Sequence, residues 1–439
     1  MRFIKILTLL FIFSFSASIA QEHLTKELAV NLTLENNYGI KIARNNVKIA
    51  KNNASIFNSG YLPILNTNAG ANYSKSNSEF TLQNGSTSET TGDVSKSLTA
   101  AVGINYTLFD GLGRIYNFKK LKETHNLSQL EAKTIIENTL LQLFTVYFEV
   151  GFLTENTSNI LKTLTISKQR LQRAQYGFDF GQNTKLELLN AEVDVNNDSI
   201  LYINSKRLLA NAKRDLNLLL GRSVTTSFKV DTTVTFNTIF NLTELINKSK
   251  QHNIEVQKVN KNIELSDFDI KISRSGLFPS LTFNGAYRHN KVENEGTYNF
   301  ALRILSNGIN AGLSLNWNLF DGGTSKTRIQ NAKIYANNLQ IEKEQLLNDV
   351  ERNVANAFEV YNNALFILKT EEKNVETNHR NFSRTEEQFK LGQITSIEFR
   401  QAQINLFNAH SNLNQAKYEA KNAELILLQL SGDLLNTSF

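Results

Sequence analysis

Six histidines, at positions 23, 125, 252, 289, 379 and 410, are the first candidates for chemistry in this chain of 439 residues. A zinc site or a general-base dyad needs such groups close together. Here they are dispersed, with no His-Glu-x-x-His pattern and no other ligand spacing. The absence of cysteine removes disulfides, thiolate metal sites and an amino-terminal lipidated cysteine. Gly111-Leu112-Gly113 starts like a dinucleotide loop but lacks the third glycine and follows an alternating segment, so it reads as turn chemistry. Asp110 and Asp321 offer two carboxylates for acid–base work, but each precedes a glycine turn into a helical pattern, where capping is the better reading. The chain is therefore expected to be no enzyme, with no cofactor and no metal.

The elements around those turns are more informative. Ile309, Ala311, Leu313, Leu315, Trp317 and Leu319 alternate with Asn310, Gly312, Ser314, Asn316 and Asn318. A period of two places the apolar set on one face of a strand. Leu281, Phe283 and Tyr287 do the same, and an earlier copy runs through Leu65 to Tyr73 and Leu98 to Leu108. Strands of about ten residues, apolar on one face and small or polar on the other, suit a transmembrane barrel. They are placed at about 64–74, 98–109, 280–288 and 309–320. Four strands cannot close a barrel, and an open edge in lipid leaves backbone groups unpaired at several kcal/mol each. The missing strands must come from other copies of the chain.

Residues 1–20 read as a signal peptide: Arg2 and Lys5, an apolar run from Ile6 to Phe15, then Ser18-Ile19-Ala20. No other stretch is apolar enough for a transmembrane helix. The formal charge of +6 is spread over mixed-sign helical stretches, which gives no nucleic-acid footprint.

Internal repetition sets the domain plan. Asn105-Tyr106-Thr107-Leu108-Phe109-Asp110-Gly111 recurs as Asn316-Trp317-Asn318-Leu319-Phe320-Asp321-Gly322, and the same shift of 211 residues carries Gly181-Gln182 to Gly392-Gln393 and Gly221 to Gly432. The only two prolines, Pro63 and Pro279, are equivalents, each where a helical pattern gives way to a strand. This divides the mature chain into repeats at 21–230 and 231–439. Each repeat reads helix, strand, loop, strand, long helix, turn, return helix. The leading helical patterns cover 24–60 and 241–276. A helix from 112 to 176 would be about 98 Å long at about 1.5 Å per residue. Val350, Val354, Phe358, Tyr361, Leu365 and Leu368 form a seam of coiled-coil spacing. In the first copy Leu143, Tyr147 and Val150 keep it while Thr139, Thr154 and Thr157 break it. Residues 222–240 look like an extended linker. Tyr106 and Trp317 suit a membrane interface, and Asn66, Asn105, Asn316 and Asn318 suit a wide neutral passage.

This duplicated order, led by proline and carrying Leu-Phe-Asp-Gly at the end of each second strand, resembles the TolC-like outer-membrane efflux family over essentially the whole mature chain. The resemblance implies an α+β membrane protein of two tandem repeats. Each repeat gives two strands to an intermolecular barrel, four per chain and twelve per homotrimer, and long helices to a periplasmic tunnel. It implies a passive outer-membrane duct for small toxic molecules or polypeptides, working with a periplasmic adaptor and an inner-membrane pump. An adaptor or helical-hairpin interaction protein is the alternative. The resemblance places the periplasmic mouth at the turns of Gly181 and Gly392, with Glu187 and Glu398 as rings of charge. A carboxylate ring favours cations; the simpler reading is a glutamate in a helical first turn. Where the family's prototype has a turn tyrosine, a tying arginine and a second acid, this chain has Phe389, Ile394 and Gln401. The expectation is an apolar or differently bonded closure around Phe389 and Ile394.

Overall fold

The structure, a computed structural model, describes residues 22–237, 240–295 and 301–436. The expected signal peptide lies outside the described residues. The chain forms two compact units that cut across the repeats: a helical unit of the described residues up to Asn46 with Leu130–Lys258 and the chain from Glu344 onward, and a strand unit of Val47–Gln129 and Val259–Lys343.

In the strand unit, β2 (Ile64–Thr81), β3 (Thr87–Asp110), β5 (Ser280–Glu295) and β6 (Arg303–Asn316) form one sheet in the order β2-β3-β5-β6, every neighbour antiparallel. β2 and β5 each begin one residue after Pro63 and Pro279. Register places Thr67, Val102, Tyr287 and Ile309 in one row on the apolar face, and Asn68, Ala101, Arg288 and Gly308 in the next row on the other. Among the described residues nothing covers Leu65 and Ile309 on the apolar face, which are 72% and 83% exposed. The opposite face holds a trough of about 520 Å³ lined by Asn66, Asn68, Asn105, Asn284 and Asn310.

The strand limits differ from expectation in three ways, the simplest being that β5 runs on past residue 288 to Glu295. β2 and β3 run on as a hairpin to Thr81 and from Thr87, turned at Asn84-Gly85 with a bulge between Ser76 and Ser78. That ribbon is serine- and threonine-rich, so it carries no apolar alternation to announce it. β6 spans Arg303–Asn316 and not 309–320. Asn316 pairs with Ser280, and the next partner would be Pro279, which has no N–H to donate. Trp317 leaves the ladder and its indole donates to the Leu277 carbonyl at 3.2 Å. The chain then reaches Asp321, whose carboxylate accepts from Gly323 N at 3.1 Å and Ser325 N at 2.8 Å; Asp110 accepts from Arg114 N at 2.9 Å. Both aspartates cap helices.

Those helices are α3 (Gly113–Asp179) and α7 (Thr324–Lys390), returned by α4 (Lys185–Leu219) and α8 (Ser396–Ser431). In the helical unit the second-repeat seam is buried at Val350, Val354, Tyr361 and Leu368, and Leu143, Tyr147 and Val150 are equally buried in the first. The threonines that flank them are satisfied: Thr139 donates to Ile135 O and Thr154 to Val150 O, both at 2.7 Å along their own helix, while Thr157 shares a hydrogen bond with the Ser205 hydroxyl of α4. The expected linker is partly core. Its strand β4 (Phe228–Val230) pairs in parallel with β1 (Glu22–Leu24), and Phe228 is fully buried.

The leading helices are each broken in two, a feature the polar patterns of 24–60 and 241–276 did not reveal. α1 (Lys26–Asn36) and α2 (Tyr38–Asn53) meet at Asn37; α5 (Leu242–His252) and α6 (Ile254–Ser275) meet at Asn253. Asn37 Nδ2 donates to Leu219 O at 2.9 Å, and Asn253 Nδ2 to Leu430 O at 3.1 Å. Each Oδ1 accepts an N–H of the next helix, Ile40 at 3.2 Å and Glu255 at 3.0 Å. Gly221 and Gly432 lie alongside with φ of 65° and 80°. A Cβ there would come within 2.5 Å of Asn36 O or 2.8 Å of the His252 backbone, so only glycine fits.

Candidate functional site: the paired helix turns

The two turns of the helical unit are built alike from residues 211 apart. Gly181 and Gly392 both have φ of 72°, and the following glutamine N–H closes each turn: Gln182 onto Gly177 O at 2.7 Å, Gln393 onto Gln388 O at 2.9 Å. Thr184 and Thr395 then cap the return helices, each hydroxyl accepting the N–H three residues on, Glu187 at 3.3 Å and Glu398 at 3.2 Å.

The two glutamates then part company. Glu398 completes a capping box, its carboxylate accepting both the Thr395 N–H and the Thr395 hydroxyl at 2.8 Å. Those bonds hold its carboxyl below the usual range. Among the described residues nothing bonds or pairs with the Glu187 carboxylate. Glu187 and Gln401 line one open groove of about 410 Å³ with Thr395, Asp194 and Arg400. Gln401 donates to Asn405 Oδ1 at 2.8 Å, along its own helix.

Phe389 and Ile394 belong to one apolar cluster with Phe382, Phe399 and Ala402. The Phe389 ring stacks on Phe399 at 4.6 Å with planes 12° apart. Arg173 of α3 lies over the other aspect of this turn: its guanidinium is 5.0 Å from the Phe389 ring and Nη2 donates to Lys390 O at 3.0 Å. The turn of the second repeat is thus tied to the first by an arginine on the first repeat's helix. The equivalent Phe178 has Lys185 over its ring at 5.1 Å. Tyr106 and Trp317 are in the strand unit, apart from these turns; Tyr106 sits in β3 opposite Phe283.

Behind the groove is a buried charged network that sequence reading missed. Arg400 Nη1 and Nη2 each reach one oxygen of Asp198 at 2.8 Å, a bidentate pair. Arg170 pairs with Asp194, which also lies 3.5 Å from Arg400 Nε. Ser167 donates to Asp198 at 2.6 Å, and Gln403 bonds Ser167 Oγ at 3.2 Å and Thr163 O at 2.9 Å. Ser167, Arg170, Asp198 and Gln403 are all buried. Burial, with the nearby Arg400 charge adding to it, draws the Arg170 pKa down to about 10. Two cations and two anions leave the network formally neutral across α3, α4 and α8. The available signal was the i, i+4 spacing of Asp194 and Asp198 on one helical face, which reads equally well as a solvated stripe. Among the described residues no three His, Asp or Glu side chains gather to hold a metal ion.

A profile described as outer membrane efflux protein matches residues 29–222 and 245–433. The chain belongs to the outer membrane efflux protein family. Among its relatives is the outer membrane protein TolC of Vibrio cholerae serotype O1, 23% identical over 307 residues, 68% of each chain. Solved structures that share the fold include the CmeC outer membrane channel of Campylobacter jejuni, with a TM-score of 0.76 at 15% identity, covering 93% of this chain and 86% of that one. The outer membrane protein VceC of Vibrio cholerae gives 0.72 at 13% identity, with 93% and 96% covered. The open-state MtrE outer membrane channel of Neisseria gonorrhoeae gives 0.71 at 16%, with 93% and 89% covered. For an outer membrane efflux protein, the α+β tandem-repeat fold with antiparallel barrel strands and long helices is the fold expected from the sequence.

Proposed function

We propose that this chain is one third of a trimeric outer-membrane duct, the passive exit of a tripartite efflux or type I secretion system. The observation that carries the reading is the sheet order β2-β3-β5-β6, which among the described residues leaves β2 and β6 each paired on one edge only, with an exposed apolar face. In hydrocarbon both edges must be satisfied, and three copies joined edge to edge give twelve strands, an even number within the range of such barrels. The trough of asparagines then faces the lumen and the apolar rows face lipid. The long helices extend into the periplasm, and an adaptor and an inner-membrane pump supply cargo and energy. Cargo is small toxic molecules or polypeptides, and the chain itself performs no catalysis.

At the periplasmic mouth, closure is apolar around Phe389, Ile394 and Phe399, with Arg173 as the polar tie, and Glu187 and Glu398 repeat three times around the opening. The test is direct. The mature protein partitions with outer membranes, resists carbonate extraction, runs as a heat-dissociable oligomer in detergent gels and conducts in planar bilayers. A water-soluble monomer without conductance overturns the reading. Ile394→Asp and Phe389→Ala raise conductance and antibiotic leakage if these residues close the mouth, and leave both unchanged if they do not.

A further inference from the structure

The strand unit carries an aromatic and basic patch where β3 passes into α3, and neither the turns nor the lumen uses it. The Arg114 guanidinium lies 5.8 Å from the Tyr61 ring and 6.0 Å from the Tyr106 ring. It donates to Asp110 at 3.2 Å and to Gly60 O at 3.0 Å, which fixes it while leaving Nη2 without a partner among the described residues. One helical turn on, Phe118 meets Tyr61 edge to face at 5.6 Å, and Lys122 Nζ sits 4.5 Å over the Phe118 ring.

Arg114, Phe118 and Lys122 recur every four residues, so they form one line down α3. Tyr106 belongs to the apolar row with Phe283 and Leu313, so that line continues the face assigned to lipid. From Leu112 to Lys122 there are four basic residues and no acidic one. Lys120 is taken by Asp269, whereas Lys119 and Lys122 are exposed with no acidic partner among the described residues. Ahead of β2, Phe57 is 84% exposed and Leu62 45%.

The height of the patch limits what can occupy it. Residues 114 to 122 span about 12 Å of helix at about 1.5 Å per residue, immediately past the last apolar rows. That is the depth of lipid headgroups, where aromatic rings settle and cations meet phosphate. We propose that this patch is a binding site for an anionic glycerophospholipid of the leaflet on the helical side of the barrel. Lys119, Lys122 and the free edge of Arg114 meet its headgroup, and Phe57 and Leu62 enter the acyl boundary. The proposal rests on the barrel reading above, since only that reading puts the patch at a membrane surface.

The test is native mass spectrometry of the detergent-solubilised protein titrated with dioleoylphosphatidylglycerol or dioleoylphosphatidylcholine. The wild type is expected to retain phosphatidylglycerol about thirtyfold more tightly, the effect of two lysines at about 1 kcal/mol each near an anionic surface. Lys119→Glu/Lys122→Glu, and the milder Lys119→Gln/Lys122→Gln, remove the preference while the oligomer on unheated gels and the bilayer conductance persist. Equal retention of the two lipids, an undiminished preference in both variants, or abolition of the preference by inorganic phosphate overturns the site. Loss of wild-type conductance strikes the channel reading instead, and the lipid preference is read from the same sample independently.

Discussion

Arg400 of the second repeat's return helix and Asp198 of the first repeat's form a bidentate ion pair, both contacts 2.8 Å, at a place where Asp198 is only 3% exposed. A buried pair contributes modest net stability because both ions lose their hydration, yet removing one partner strands the other. Asp198→Ala is therefore expected to destabilise the helical unit by about 3–5 kcal/mol, measured by thermal unfolding of the purified oligomer. Asp198→Leu/Arg400→Met is expected to cost far less than the sum of the two single changes. An additive double variant would show that the pair is not coupled.

That pair also marks the limit of what could be read from the sequence. The repeat, the strand-leading prolines, the four strands and the helix turns were legible because each has a local signal: alternation, a residue that cannot continue a helix, or a glycine that must take positive φ. Asp198 and Arg400 are 202 residues apart and look like solvated helix residues until packing closes over them. The polar ribbon past Tyr73 failed for the opposite reason: both its faces are polar, so no alternation distinguishes strand from loop. Among the proposed mouth residues, Phe389 and Ile394 are brought together in one cluster, whereas the equivalent glutamates proved unequal. Only Glu398 closes its capping box.

The helix breaks at Asn37 and Asn253 make a prediction about glycine's neighbours. Asn253→Ala removes the bond to Leu430 O and the cap on α6 together, and is expected to cost about 1–2 kcal/mol. Gly432→Ala attacks the same junction from the other side by forcing a Cβ to 2.8 Å from the His252 backbone. Hydrogen exchange should quicken in α6 in both variants while the strand amides keep their protection. Unchanged exchange in α6 would show that the break is not held by these residues.

Glu137 supplies a pH dependence. It is 6% exposed, its Oε1 has no hydrogen-bond partner, and burial, with the Glu255 charge adding to it and Lys133 opposing, raises its pKa from 4.5 to about 7. An acid that holds its proton more tightly when folded stabilises the fold at low pH, and that contribution is lost as pH rises from about 4.5 through about 7. Glu137→Gln is therefore expected to leave stability near its wild-type value in acid and to raise it by up to roughly 3 kcal/mol in mildly alkaline buffer. Parallel stability profiles for the two proteins would refute this.

The unequal glutamates separate a capping role from a charge-ring role. In Glu398→Gln the side-chain oxygen that accepts the Thr395 N–H is kept and the charge is removed, so the cap survives. In Glu187→Gln the charge removed is one that no group among the described residues engages. If the mouth selects ions by its carboxylates, Glu187→Gln is expected to lower the cation-to-anion permeability ratio more than Glu398→Gln, because a carboxylate spent on two hydrogen bonds projects less field into the opening. The measurement is the reversal potential under a salt gradient in planar bilayers, with thermal unfolding as the control for the cap. A larger shift from Glu398→Gln would assign the ring to the capped glutamate, and no shift from either would leave both as ordinary residues of a helical first turn.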